Sequence, residues 1–206
     1  MNRTRFISES TGVILALASF TSLASGATMI HFNNITPTAN VSASAEFPVS
    51  EISDGVTNEG NPSGLNGFMS ASLGTITFTF DQDYELNSLL LWNDVNLNGD
   101  ASEGIDSFSL AFFDSSDAVI ATPSATTYTA PVEQLTAQEY IFSGGVEGVR
   151  RVDLEVLSSQ WTGNTAIEIR EVAFTEVAAS MVPEPSITIF LGISAIGLFG
   201  RRKRSN

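Results

Sequence analysis

The stretch Thr75-Ile76-Thr77-Phe78-Thr79-Phe80 puts a large apolar side chain on every even position and a threonine on every odd one. An extended chain, whose side chains alternate faces with period two, sorts that pattern into one dry and one wet face; a helix would scatter the rings around its axis. The same period returns along the chain. Phe108, Leu110 and Phe112 alternate with Ser109 and Ala111, and Val119 to Ala121 is expected to pair with them across the Asp114-Ser115-Ser116-Asp117 turn. Residues 86–92 are more uniformly apolar and suit a central strand, in which Trp92 reads as core. A strand at 139–142 follows a Thr/Pro-rich loop, and Val152, Leu154 and Val156 face inward while Arg151, Asp153 and Glu155 face out. A first strand is expected at Thr28 to Phe32, with His31 in it. Short strands, Gly/Asn/Ser loops and no long 3.6-residue period predict an all-β chain folded as an antiparallel β-sandwich.

The last strand carries an irregularity. Ile167 and Ile169 share one parity and Val172 and Phe174 the other, so the inward face slips by one residue at Arg170-Glu171. A bulge reconciles the halves and re-aims a side chain, here Glu171; an end or bend of the strand would serve as well.

Apolar runs with basic flanks mark both ends. Arg3 and Arg5 precede an apolar run from Gly12 to Leu23 and the small residues Ser25-Gly26-Ala27, so residues 1–27 read as a signal peptide cleaved after Ala27, or after Gly26. At the other end, residues 179–206 comprise a linker, Pro183-Glu184-Pro185, an uncharged stretch from Ile187 to Gly200, and the basic Arg201, Arg202, Lys203 and Arg204. The two prolines keep their segment extended and open to a processing enzyme. The apolar stretch, as a helix, reaches roughly 21 Å, short of a ~30 Å hydrocarbon core, which predicts a marginal or transient place in the membrane. Basic residues favour the cytoplasmic side, leaving the rest of the chain outside the inner membrane.

This order of parts resembles the PEP-CTERM sorting signal of Gram-negative bacteria. The resemblance implies recognition by an exosortase-type processing enzyme, removal of the tail, and delivery to the cell envelope, the surface or its exopolysaccharide.

Between the two signals, residues 28–178 are one domain's worth of chain. This segment holds 21 carboxylates against Arg150, Arg151 and Arg170, a net charge of −18 with His31 neutral. Phosphate would be repelled, which excludes nucleic acid as a partner; calcium and neutral glycans are compatible. With no cysteine in the chain, disulfides, thiol catalysis and Cys-type zinc sites are excluded.

A second resemblance rests on the order of Ile52-Ser53-Asp54-Gly55, Ile76 to Phe80, Leu89-Leu90-Leu91-Trp92-Asn93, Gly104 to Leu110, Val149 to Ser159 and Arg170-Glu171-Val172-Ala173-Phe174. Together these look like the discoidin, or factor V/VIII type C, domain, which implies the galactose-binding-like jelly roll over most of Ile52 to Glu176. The chain departs from the family pattern in offering only Phe68 and Gly74 where two aromatic residues are usual. Members often hold calcium between the Asp-Gly loop and the Glu of the last strand; the matching positions are Asp54 and Glu171, with Asn58 as a neighbour. An Asx-turn at Asp54-Gly55 needs no metal. Asp94 to Asp100 opens like an EF-hand loop, but position twelve is Ile105, so a solvated turn is expected.

Catalysis has little support. His31 is the only histidine, and no Gly-x-Ser-x-Gly, His-Glu-x-x-His or phosphate-binding glycine loop occurs. A non-catalytic module that binds carbohydrate weakly is the expected function, with a ligand-free structural matrix protein as the alternative. Sugars are recognised by an aromatic face with polar groups around it. The aromatic candidates are Trp161 in its loop, then Tyr128 and Phe68.

Overall fold

The alternating stretch begins β4, which runs without a break from Thr75 to Asn93 and is bonded along its length to a second long strand, β7, Gln138–Ser159. The sequence pattern divided each of these into two strands. They are continuous because the β4–β7 ladder passes through register shifts between Thr79 and Ser88, where exposed Asp81-Gln82-Asp83 hide the connection from any periodicity argument. The shifts let both strands turn together from one layer into the other.

The structure, a computed structural model, describes residues 26–57, 59, 67–94, 103–120, 127–131, 135–161, 163 and 165–178. The remaining strands are β1 (Ala27–Met29), β2 (Ile35–Ala39), β3 (Phe68–Ser70), β5 (Ile105–Phe113), β6 (Tyr128–Thr129) and β8 (Ile167–Val177). The bonded order is β1-β8-β4-β7-β5-β6, with β2 added to β4 and β3 to β8, and every pairing is antiparallel. One layer holds β2, residues 75–80 of β4, residues 149–159 of β7, β5 and β6. The other holds residues 138–142 of β7, residues 86–93 of β4, and β8 with β1 and β3 on its outer edge.

Rings that meet edge to face join the layers: Phe78 on Phe174 at 5.2 Å, Phe112 on Phe142 at 5.1 Å and Phe108 on Tyr140 at 5.0 Å. Each such pair contributes about 0.5–1.5 kcal/mol beyond the apolar area it buries. The fold is an antiparallel jelly-roll sandwich, and the inward residues are those the alternation selected: Ile76, Phe78, Phe80, Phe108, Leu110, Phe112, Val152, Leu154 and Val156 are all buried.

The Asp114 turn holds Val119 back against Phe113, as expected, and Ile120 N–H donates to the Phe112 carbonyl. Asp114 Oδ1 accepts from the amides of Ser116 and Ala118, and Asp117 takes the left-handed φ of 64°. Ala121 lies outside the described residues.

One expectation needs correction. His31 is not in the first strand, which ends at Met29; its Nδ1 caps a 3-10 turn, Phe32–Asn34, accepting from Asn33 N–H at 3.2 Å. Trp92 is buried, as expected, and across the ladder it pairs directly with Glu171. Among the described residues no helix is long and apolar enough to cross a membrane; the Ile187 to Gly200 stretch lies outside them.

The sandwich has two distinct ends. At one, β4 and β7 turn over; there β1 and β8 also meet, with Ala27 opposite Val177 and Ala178 N–H donating to the Gly26 carbonyl. The opposite end gathers Asn93, Ile105, Gln138, Ser159 and Ile167, from which loops project.

Candidate functional site

The parity slip in β8 is a bulge. Trp92 pairs with Glu171 and Asn93 with Ile169, so Arg170 is the extra residue between them. Adjacent residues of a regular strand point to opposite faces; here both Arg170 and Glu171 are buried, at 1 % and 2 % exposure.

Glu171 reaches the Asp54-Gly55 turn. Its Oε1 accepts from Gly55 N–H at 3.0 Å and its Oε2 from Asp54 N–H at 3.3 Å. The turn is shaped for this by Gly55, whose φ of +89° disfavours any side chain and whose α-carbon lies beneath the Phe32 ring. Asp54 closes an Asx-turn, with Oδ1 accepting from Val56 N–H at 2.8 Å. Burial, more than the two amide bonds offset, pushes the Glu171 carboxyl up to about 8, and the Asp54 carboxyl within hydrogen-bonding reach pushes the same way.

A buried carboxyl, Glu171, facing the half-buried Asp54 carboxyl calls for a shared proton or a cation. Their chemistry fits a hard cation such as calcium, because a carboxylate oxygen that accepts one N–H keeps a lone pair for a metal. Asn58, the third expected ligand, lies outside the described residues. Among those described, no group of three or more His, Cys, Asp or Glu is arranged to hold a metal.

Arg170 and Trp92 extend the fastening of this loop. The Arg170 guanidinium donates to the carbonyls of Asn93 at 2.7 Å, Thr57 at 3.2 Å and Leu135 at 3.0 Å. Burial lowers its pKa, while the charges of Asp94 and Glu59 oppose that shift. Trp92 Nε1 donates to Glu59 Oε1 at 2.5 Å. Sequence reasoning gave neither residue a role at the site; the one signal for Arg170 was a lone cation at the slip, between Ile169 and Glu171.

A second acidic group lines the loop end. Asp94 Oδ2 accepts from Glu103 N–H, the Glu103 carbonyl accepts from Glu168 N–H, and the next carbonyl, Gly104, accepts from Gln160 N–H. Burial and the charges of Asp94 and Glu103 raise the Glu168 carboxyl to about 7. Of residues 94–100, the EF-hand-like opening, only Asp94 is described.

The aromatic candidates part company. Trp161 is 40 % exposed at the loop end, next to Gln160 and so to the Glu103-Gly104 edge. Tyr128 is half-buried; Phe108 stacks on its ring at 5.3 Å, which occupies one face, and Tyr140 meets it edge-on. Phe68 is wholly buried in β3 opposite Ile169 and offers no face to a sugar, so it is a core residue and not a contact. In an aromatic pair that sequence reasoning did not select, His31 stacks on Phe32 at 4.3 Å, and the Phe32 ring, 40 % exposed, lies against Gly55. Pro183, Glu184, Pro185, Arg201, Arg202, Lys203 and Arg204 lie outside the described residues.

No protein-family model and no curated protein matches the chain. Solved structures do. The family 32 carbohydrate-binding module of Clostridium perfringens NanJ, solved with galactose, is similar with a TM-score of 0.55 at 13% identity, over 73% of this chain and 99% of that one. The chain shares the jelly-roll fold of that module. An F5/8 type C domain from Bacteroides fragilis is similar with a TM-score of 0.59 at 9% identity, over 74% of this chain and 97% of that one. The lectin domain of lectinolysin, solved with Lewis B antigen, gives 0.52 at 11% identity, over 72% and 98%.

Proposed function

We propose that the domain is a non-catalytic carbohydrate-binding module, exported and displayed at the cell envelope or in its exopolysaccharide by PEP-CTERM sorting. The observation that carries this reading is the shared fold with domains solved with bound sugars, together with an exposed Trp161 on the loop end. The strand ends Ala27 and Val177 meet at the other end. A tether following Ala178 would therefore leave the domain on the side away from the loops, pointing Trp161 outward. Neutral, galactose-like glycans suit the site, because 21 carboxylates repel uronic acids unless a cation bridges them. Calcium, held by Asp54 and Glu171, would neutralise both carboxyls and tie the first loop to the last strand.

A ring face on a sugar contributes on the order of 1 kcal/mol beyond buried area, and one shallow site binds near millimolar, about −4 kcal/mol. Many copies on one polymer raise that to useful avidity. The test is retention on an immobilised neutral galactan, with a glycan array run in calcium and in chelator. Trp161→Ala should abolish retention and leave the melting temperature nearly unchanged. A variant that unfolds makes Trp161 a core residue, and one that changes neither property removes it from the binding surface.

A further inference from the structure

We propose that Arg170 is a positioning residue that holds the ligand-facing rim in shape by donating at once to Thr57, Asn93 and Leu135, three carbonyls on three separate segments. Its importance for ligand binding rests on the carbohydrate reading above; its hold on the loop does not. Arg170 is among the largest fully buried side chains of the described residues, and a buried cation is costly unless its donors are used. Three of its contacts go to backbone carbonyls: Asn93 ends β4, Leu135 lies just before β7, and Thr57 follows the Asp54-Gly55 turn. A planar guanidinium reaches three directions in a fixed fork, which a single ammonium cannot.

The bulge makes the device a two-handed one. Glu171 takes the amides of Asp54 and Gly55, and Arg170, the residue just before it, gives to the carbonyl of Thr57, two residues beyond Gly55. Trp92, paired with Glu171 across the ladder, holds Glu59 in the same loop. Asp54, Gly55, Thr57 and Glu59 are thus fastened from a single point of the β4–β8 ladder, and the same guanidinium ties them to the end of β4 and to Leu135.

The full chain decides this by hydrogen exchange and by retention on immobilised galactan at 10 °C. Arg170→Lys keeps the charge but cannot span three carbonyls. Arg170→Met keeps the volume and buries no lone ammonium, so it serves where the lysine variant fails to fold. Exchange across residues 54–59 should quicken at least tenfold in both variants, exchange across residues 149–156 should stay as in the wild type, and retention should fall at least tenfold. Unchanged exchange at 54–59, or equal acceleration at 149–156, overturns the proposal. So does a loosened loop with wild-type retention. A wild-type chain that ignores the column overturns the carbohydrate reading instead, while the exchange contrast still decides whether Arg170 holds the loop.

Discussion

Glu171→Gln should change the stability of the domain with opposite signs in chelator and in calcium. The wild-type carboxyl sits near 8 in the folded chain against an ordinary 4.5. Between those values the folded state binds more protons than the unfolded one, so stability is fullest below about 4.5 and is lost as pH rises through about 8. The whole shift corresponds to about 4–5 kcal/mol, and about 3 kcal/mol of it is already lost at pH 7. An amide of the same shape cannot ionise, and its NH2 can donate to the Asp54 carboxylate while its oxygen keeps one of the two turn amides. In chelator at pH 7 to 8, Glu171→Gln should therefore be as stable as the wild type or more so. It should also lack the Glu171 share of the pH dependence.

Calcium reverses the comparison. At about a hundred times its dissociation constant it adds roughly 2.7 kcal/mol to the wild type, and it should add little to the variant. With a urea slope near 2 kcal/mol per molar, about 3 kcal/mol moves the unfolding midpoint by roughly 1.5 M. Midpoints at pH 5, 6, 7 and 8, in chelator and in calcium, measure both effects. Glu168 titrates in the same window, near 7, but it does so in both proteins and cancels in their difference. Parallel pH profiles for the two proteins in chelator would refute the argument that Glu171 is held protonated. A wild type indifferent to calcium would refute the cation site alone.

Phe68→Ala should cost about 3–5 kcal/mol in urea unfolding, the loss expected of a wholly buried ring, while galactan retention at low temperature persists in the folded fraction; loss of retention without loss of stability would return Phe68 to the binding surface. Intact-mass analysis of the surface-located protein should show loss of the leader up to Gly26 or Ala27 and of the tail beyond about Pro185. Recovery of Arg201 to Arg204 in that form would leave a plain anchor in place of a sorted and processed tail. The leader cut has a structural readout as well: after Gly26 it leaves β1 whole, and after Ala27 it removes the residue opposite Val177.

Alternation in β4, β5 and β7 was legible because each presents one face to the core, so burial imposes period two on the residues themselves. Continuity was not. Residues 81–83 and 143–148 carry charge and glycine through the corner between layers, and nothing in a chain of exposed Asp, Gln and Gly separates a bent strand from a loop. His31 failed for a related reason: three residues of strand followed by a capped turn leave the same short apolar trace as five residues of strand. Phe68 was misjudged because its partner, Ile169, is 101 positions away, and only the β3–β8 pairing turns a ring beside a polar loop into core.

The bulge at Arg170 is where sequence and site met, for a physical reason. A strand buried along its length can carry two consecutive charged residues only if each has a partner, and regular pleating would send one of them into the apolar core. A slip of parity at a charged pair is therefore more than an irregularity of pattern. It says that the backbone gives up one ladder position so that both side chains can reach polar groups elsewhere. What the sequence could not supply was where those groups are: amides and carbonyls of the 54–57 turn and carbonyls of Asn93 and Leu135, which leave no mark in residue identity because every residue has them. The resemblance to the discoidin domain pointed to Asp54 and Glu171 as a pair, while the hold of Arg170 on the carbonyls of Thr57, Asn93 and Leu135 could be found only once the chain was folded.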